Sequence, residues 1–168
     1  MTPASSDFFD LVVARVQHEA SSIAILDLQR ADASGLPAWQ PGAHIDVRTQ
    51  DASGKEVVRQ YSLCGPQGED FWRIAVLADT RGRGGSIHLF QMVTQGQKIS
   101  VRGPRNHFEL PNDDRPVVLV AGGVGITPLL AMADRLHEQG RRFRLHYFAR
   151  SRHSMAFLDQ LMSEPYQE

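Results

Sequence analysis

The sequence changes grammar once, at "PNDDRP", residues 111–116. Ahead of it, apolar residues come in short runs split by turn signals: "FDLVVARV", "IAILDLQ", "PGAHIDVRT", "KEVVRQYSL", "FWRIAVLA" and "QKISVRG". About six strand-length runs at such spacing predict a small antiparallel β-barrel. "DASG" predicts a hairpin between the third and fourth, and "GGSIHLFQMV" is the one helix-like insert. Past residue 116, "VVLVAGG" is a continuous apolar run, expected of a strand buried on both faces. "TPLLAMADRLHEQG" follows with helix punctuation: Thr127 as cap, Pro128 at the first helical position, Gly140 at the end. "RFRLHYFA" reads as a further strand and "HSMAFLDQLM" as a further helix. The expected division is a barrel over residues 1–110, a linker over 111–116, and a β-α-β-α unit opening a parallel sheet over 117–168. Two strands do not make a stable open sheet. The expectation is therefore that further residues exist in the natural protein, or that something else covers the sheet edge.

Charge and composition exclude several classes. Eighteen Lys and Arg against 19 Asp and Glu give a net charge of −1, so no general attraction to nucleic acid or an acidic membrane is expected. No apolar run approaches the roughly 20 residues of a membrane span, and "MTPASSDFFD" lacks the pattern of a signal peptide. The single cysteine, Cys64, rules out an internal disulfide and suits a reducing, cytoplasmic setting. It also rules out an iron–sulfur cluster held by this chain, and Cys64 is read as a small buried residue with no redox role. The seven histidines are dispersed without metal-ligand spacing, so no metal ligand is assigned. Ser86 and His88 have no third partner for a hydrolase triad, and G-x-S-x-G is absent.

One turn carries ligand chemistry. "LVAGGVGITPLL" places Gly122, Gly123 and Gly125 between a strand and a helix start, where backbone can approach a ligand and unpaired N–H groups suit phosphate. The pattern is neither G-x-G-x-x-G nor Walker A, and a tight turn without ligand competes with the ligand reading. The second strand ends in "YFARSRHS", with no acid for a ribose. Arg150 and Arg152 stand there instead, fit either for a 2′-phosphate or for solvent.

Three stretches together resemble the ferredoxin reductase-like flavoproteins: "RQYSL", "GRGGS" at residues 82–86, and "AGGVGITP". "PRNHF" (104–108) and "RSRHSMAFLDQL" (150–161) make the resemblance strongest to the phthalate dioxygenase reductase and vanillate O-demethylase reductase group. The resemblance implies a six-stranded Greek-key FMN barrel, followed by the first half of an NAD(P)-binding α/β domain. It implies electron flow from NADH, with NADPH open, through FMN to a 2Fe–2S centre. That centre lies in a C-terminal domain which this sequence does not include. A Rieske-type terminal oxygenase acting on an aromatic substrate is the implied partner. Two alternatives stand beside this reading: an FMN-binding module without efficient reductase activity, and a free flavin reductase.

The resemblance also assigns roles. Arg59 would bind the FMN phosphate, Tyr61 would pack beside the flavin, and Ser62 would act near flavin N5. The backbone of Ala75, Val76 and Leu77 would meet the ring edge. Arg83, Gly84, Gly85 and Ser86 would form the phosphate turn. Gly122, Gly123, Gly125, Thr127, Arg150 and Ser151 would serve the nicotinamide nucleotide.

Overall fold

The computed structural model describes residues 5–20, 22–82 and 84–163. Six strands form one antiparallel sheet: β1 (Ser5–Glu19), β2 (Ile23–Gln29), β3 (Ala43–Gln50), β4 (Glu56–Ser62), β5 (Phe71–Leu77) and β6 (Lys98–Asn106). Their order is β4-β3-β6-β1-β2-β5. The long β1 pairs with β6 through its first half and with β2 through its second, with a register shift between Val13 and Arg15. A bulge of this kind bends a strand and increases its twist, which helps one sheet curl. The two end strands, β4 and β5, meet at a single bridge, Leu63–Ile74. The barrel thus closes at one point and leaves a seam on either side of it.

Alternation explains the interior. Leu11, Val13, Leu26, Leu28, Ile45, Val47, Trp72, Ile74, Val76 and Val101 point inward and are almost fully buried. The β3–β4 hairpin is as expected. Asp51 Oδ1 accepts hydrogen bonds from the N–H groups of Ser53 and Lys55, and Gly54 takes the left-handed conformation. Two carboxylates anchor cross-strand ion pairs on the outer face. Arg73 bonds Asp27 bidentately at 2.6 and 2.8 Å. The buried Asp46 carboxylate accepts from Arg102, Arg105 and Gln60. Burial alone would raise the Asp46 pKa, but these donors outweigh it and hold the carboxyl below its usual range.

The helix α1 (Gly85–Met92) lies between β5 and β6 in sequence and packs on β3, β4 and β5. Residues 107–116 then lead to β7 (Val117–Gly122), a 3₁₀ turn (Gly123–Gly125), α2 (Ile126–Glu138) and β8 (Phe143–Phe148). β7 and β8 pair in parallel. Helix α2 ends as predicted: Gly140 is left-handed, and bonds from Arg141 N–H to Leu136 O and from Gly140 N–H to His137 O complete a Schellman motif.

Three expectations need correction. β7 is not buried on both faces: Val118 and Val120 are over 60 % exposed, because only one face of the β7–β8 pair is covered. Thr127 is not the cap of α2; the helix begins at Ile126, and the Thr127 hydroxyl donates back to Val124 O. The helix expected over 153–162 is broken into a 3₁₀ turn (Arg152–Ser154) and a short α3 (Leu158–Leu161). Between them Phe157 adopts φ 59° and is buried, with its N–H held by the Glu19 carboxylate at 2.7 Å. A tertiary contact has overridden a local helical pattern.

The two halves share an interior. Ile23, Ile25, Cys64 and Ala75 of the barrel pack in one cluster with Leu119, Ala121, Ile126, Leu129 and Leu130.

Candidate functional site

The seam beside the Leu63–Ile74 bridge gathers most of the residues singled out above. On β4, period-two alternation puts Val57, Arg59 and Tyr61 on the face that carries Thr49, Val47 and Ile45 of β3. Helix α1 starts against that face. A Cβ placed on Gly85 would lie 3.0 Å from Arg59 Nε and 3.2 Å from methyl carbons of Thr49 and Val57. Gly84, at φ 89°, presses on the β3–β4 turn, where a Cβ would stand 2.7 Å from Ala52 N. Ser86 Oγ accepts the Asp79 N–H at 3.2 Å. Arg83 lies outside the described residues.

The electrostatics of this corner are one-sided. Helix α1 has no acidic residue in its first turn, so its positive end is not offset locally. The Arg59 guanidinium donates to the carbonyl of its neighbour Val58, and among the described residues it has no acid partner. A guanidinium fork beside a helix N-terminus suits a phosphate. The hydroxyl of Tyr61 is buried without a hydrogen-bond partner among the described residues. Burial pushes its pKa up to about 12, with Arg59 opposing, so Tyr61 holds its proton as a donor. An orphaned buried donor beside a guanidinium without an acid partner among the described residues fits a polar ligand lying along β4. Cys64 is buried with its thiol pKa raised by that burial, as expected of an inert packing residue.

Ser62 falls on the opposite face of β4 from Arg59 and Tyr61. Its cross-strand partner is His44, and the two line a pocket of about 210 Å³ with Gly42, Gln60, His107 and Phe108. His44 Nε2 is buried without a partner, and burial followed by the Arg105 charge lowers its pKa. Across the seam, the side chains of Ala75 and Val76 are buried, Ala75 in the cluster between the two halves and Val76 in the barrel core. Leu77 is half-buried. What β5 presents to the seam is its unpaired backbone edge.

The glycine turn sits against β5. Gly122 and Gly125 have backbone angles that any residue adopts, and a Cβ on either would meet no atom within 4 Å. Gly123 alone is left-handed, at φ 52°. Thr127 is buried behind the turn. Arg150 is exposed, Ser151 is engaged with Ser154 in a capping box, and Arg152 and His153 line a cleft with His18 and Glu19. Thr49, which sequence reading did not single out, and His88, which it weighed only for a hydrolase triad, lie beside the candidate phosphate turn. They are 39 residues apart, and no local signal joins them.

A curled six-stranded barrel with a helix starting at its seam, followed by a parallel α/β unit with a glycine turn, defines the ferredoxin reductase-like flavoprotein fold. The chain belongs to the oxidoreductase FAD-binding domain family, whose model matches residues 9–110. It is 39 % identical over 153 residues to the vanillate O-demethylase oxidoreductase of Acinetobacter baylyi, covering 90 % of this chain and 47 % of that protein. It is 38 % identical over 165 residues to the phthalate dioxygenase reductase of Burkholderia cepacia, covering 97 % and 50 %. A solved phthalate dioxygenase reductase, described as modular for electron transfer from pyridine nucleotides to [2Fe–2S], superposes with a TM-score of 0.85 at 38 % identity. That match covers 94 % of this chain and 48 % of the solved one. The chain thus spans about half the length of the curated relatives it matches. Among the described residues, no helix is long and apolar enough to cross a membrane.

Proposed function

We propose that this chain forms the flavin-binding part, and the start of the nicotinamide-binding part, of an oxygenase reductase component. The flavin we assign is FMN, and NADH is the electron donor. The observation that carries the reading is the Arg59 corner: an acid-free guanidinium against the N-terminus of α1, beside the orphaned Tyr61 hydroxyl. The chemistry the flavin supplies when bound is the exchange of a two-electron hydride for single electrons.

The chain's own residues would bind, orient and enclose. Arg59 and the Gly84–Ser86 turn would hold the phosphate, with Arg83 in the same turn. The short "GRGGS" form, which resembles that of the FMN-binding group, supports FMN over FAD. Tyr61 would donate its O–H along β4. Ser62 would act near flavin N5 from the end of β4; its side chain is on the strand face away from Arg59 and Tyr61, so the flavin would have to pass the strand end to meet it. Ala75, Val76 and Leu77 would offer backbone to the ring edge.

Gly122, Gly123, Gly125 and Thr127 would receive the dinucleotide. The space around Gly122 and Gly125 supports that role, since no protein atom demands glycine there. Arg150 and Ser151 would lie towards its adenosine end, and the exposed Arg150 leaves NADPH as an alternative donor. The description of the solved phthalate dioxygenase reductase supports a 2Fe–2S centre as acceptor, and the demethylase and dioxygenase names of the relatives support an oxygenase beyond it. The Rieske type of that oxygenase, its aromatic substrate and a cytoplasmic setting are part of the proposal and rest on the family resemblance.

The test is flavin selectivity. Arg59→Ala is expected to weaken FMN by tenfold or more while riboflavin, which lacks the phosphate, changes little. A charge-assisted hydrogen bond contributes roughly 1.5–3 kcal/mol. Equal losses for the two flavins would refute the assignment.

A further inference from the structure

The phosphate turn is held from below by two residues of different elements. Thr49, near the end of β3, is only 6 % exposed. Its hydroxyl lies 3.2 Å from Gly85 O and 3.1 Å from His88 Nδ1. His88 stands one helical turn further along α1, and its own N–H bonds Gly84 O at 2.9 Å. The two glycines of the turn are therefore tied at both carbonyls, one through the Thr49 side chain and one through the backbone of His88.

We propose that Thr49 and His88 are positioning residues for the flavin phosphate. The inference rests on the reading of the Arg59 corner as a phosphate site. Proton counting fixes the arrangement. A threonine hydroxyl has one proton and can accept through its lone pairs. Gly85 O can only accept, so the hydroxyl proton goes there. The oxygen then accepts from His88, whose proton must sit on Nδ1. The relay His88 Nδ1–H to Thr49 Oγ1, and Thr49 O–H to Gly85 O, locks the first peptide of α1. That peptide orients the N–H groups which point out of the turn. Thr49 also places its methyl carbon 3.2 Å from where a Gly85 Cβ would be, so the same side chain shapes the floor beside Arg59.

The experiment compares FMN with riboflavin affinity in the 168-residue chain and its variants. Thr49→Val keeps the shape and removes the hydroxyl. It is expected to weaken FMN by about tenfold, or about 1.4 kcal/mol, within the range of one neutral hydrogen bond, with riboflavin changed by no more than about twofold. Thr49→Ser restores the hydroxyl and should restore FMN affinity. His88→Phe should behave like Thr49→Val, and His88→Asn, whose amide N–H can stand where Nδ1–H stood, should recover much of the loss. Imidazole nitrogen NMR of the unsubstituted chain should show the proton of His88 on Nδ1; a proton on Nε2 alone overturns the relay. An unchanged FMN-to-riboflavin ratio in both Thr49→Val and His88→Phe, with Arg59→Ala lowering it, overturns the brace and leaves the phosphate site standing. If Arg59→Ala also leaves the ratio unchanged, the phosphate reading fails and takes the brace with it.

Discussion

Gly85→Ala is the smallest change that separates the fold of this chain from its candidate chemistry. Gly85 opens α1 and its backbone is helical, so alanine suits the local conformation. Helix propensity alone would favour alanine by about 1 kcal/mol in a helix interior, less at the first position. Against that stands the floor of the turn. The new methyl would sit 3.0 Å from Arg59 Nε and 3.2 Å from carbons of Thr49 and Val57. Contacts this tight force the neighbours to move, and overpacking of a buried position costs roughly 1–3 kcal/mol. Of the three neighbours, Arg59 is the long and partly exposed one, so it is the one that gives way.

The two effects on stability nearly cancel, and the chain is expected to unfold within about 1–2 kcal/mol of the unsubstituted one. The effect on ligand does not cancel. A displaced guanidinium forfeits most of a contact worth roughly 1.5–3 kcal/mol, so FMN affinity should fall about tenfold to a hundredfold and riboflavin should change far less. Denaturant unfolding without flavin gives the first number, and fluorescence quenching titrations with the two flavins give the second. Unchanged FMN binding in a folded Gly85→Ala variant would refute the claim that Arg59 and the α1 turn form one phosphate site.

Two further outcomes test other parts of the molecule. Burial, with Glu138 nearby, raises the Asp134 pKa from 3.8 to about 6, so the folded chain keeps a proton that the unfolded chain releases, and stability falls as pH rises through that window. The shift corresponds to about 3 kcal/mol, and partial exposure reduces this to about 1–2 kcal/mol; Asp134→Asn should therefore raise stability at pH 7.5 and not at pH 4, and an equal gain in urea melts at both would show that the charge is not the cause. A Cβ at Gly122 would meet no atom within 4 Å and the backbone there is extended, so in Gly122→Val stability and FMN binding should hold while NADH binding by titration falls at least tenfold; unaltered NADH affinity would remove the glycine turn from the nucleotide site.

Much of this arrangement was legible because it is periodic or punctuated. Short apolar runs split by turn signals marked the barrel strands, Gly140 marked the end of α2, and the run after Gly84 marked α1. What was illegible depended on neighbours distant in sequence. A run such as "VVLVAGG" records how apolar a strand is, but not how many of its faces are covered, and here Val118 and Val120 are open. "HSMAFLDQLM" has helical composition, yet Glu19, 138 residues earlier, holds the Phe157 N–H and breaks it. "RQYSL" lies on β4, and the period of two separates Arg59 and Tyr61 from Ser62. Sequence proximity had grouped three side chains that the pleat divides between two faces. The Thr49–His88 contact joins β3 to α1 and could not be read from either segment.

The packing of the second half accounts for how its glycine turn comes to lie beside the seam. Two parallel strands and one helix have too little interior to hold themselves together. They persist here because α2 and the inner face of β7 pack on the outside of the barrel, against Ile23, Ile25, Cys64 and Ala75. Ala75 belongs to β5, the strand that edges the seam, and Ile23 and Ile25 belong to β2, its hydrogen-bonded partner. The cluster that stabilises β7 and α2 is thus built on the back of the strands that border the candidate flavin site. Ile126, at the first position of α2 and fully buried in that cluster, directly follows the 3₁₀ turn of Gly123–Gly125. The turn cannot move away from β5 without drawing Ile126 out of the core, a loss of roughly 1.5–3 kcal/mol for one large apolar side chain. The candidate nicotinamide turn and the candidate flavin seam are held by one apolar cluster, which fixes their separation, the preorganisation that the proposed hydride transfer between two bound cofactors would require.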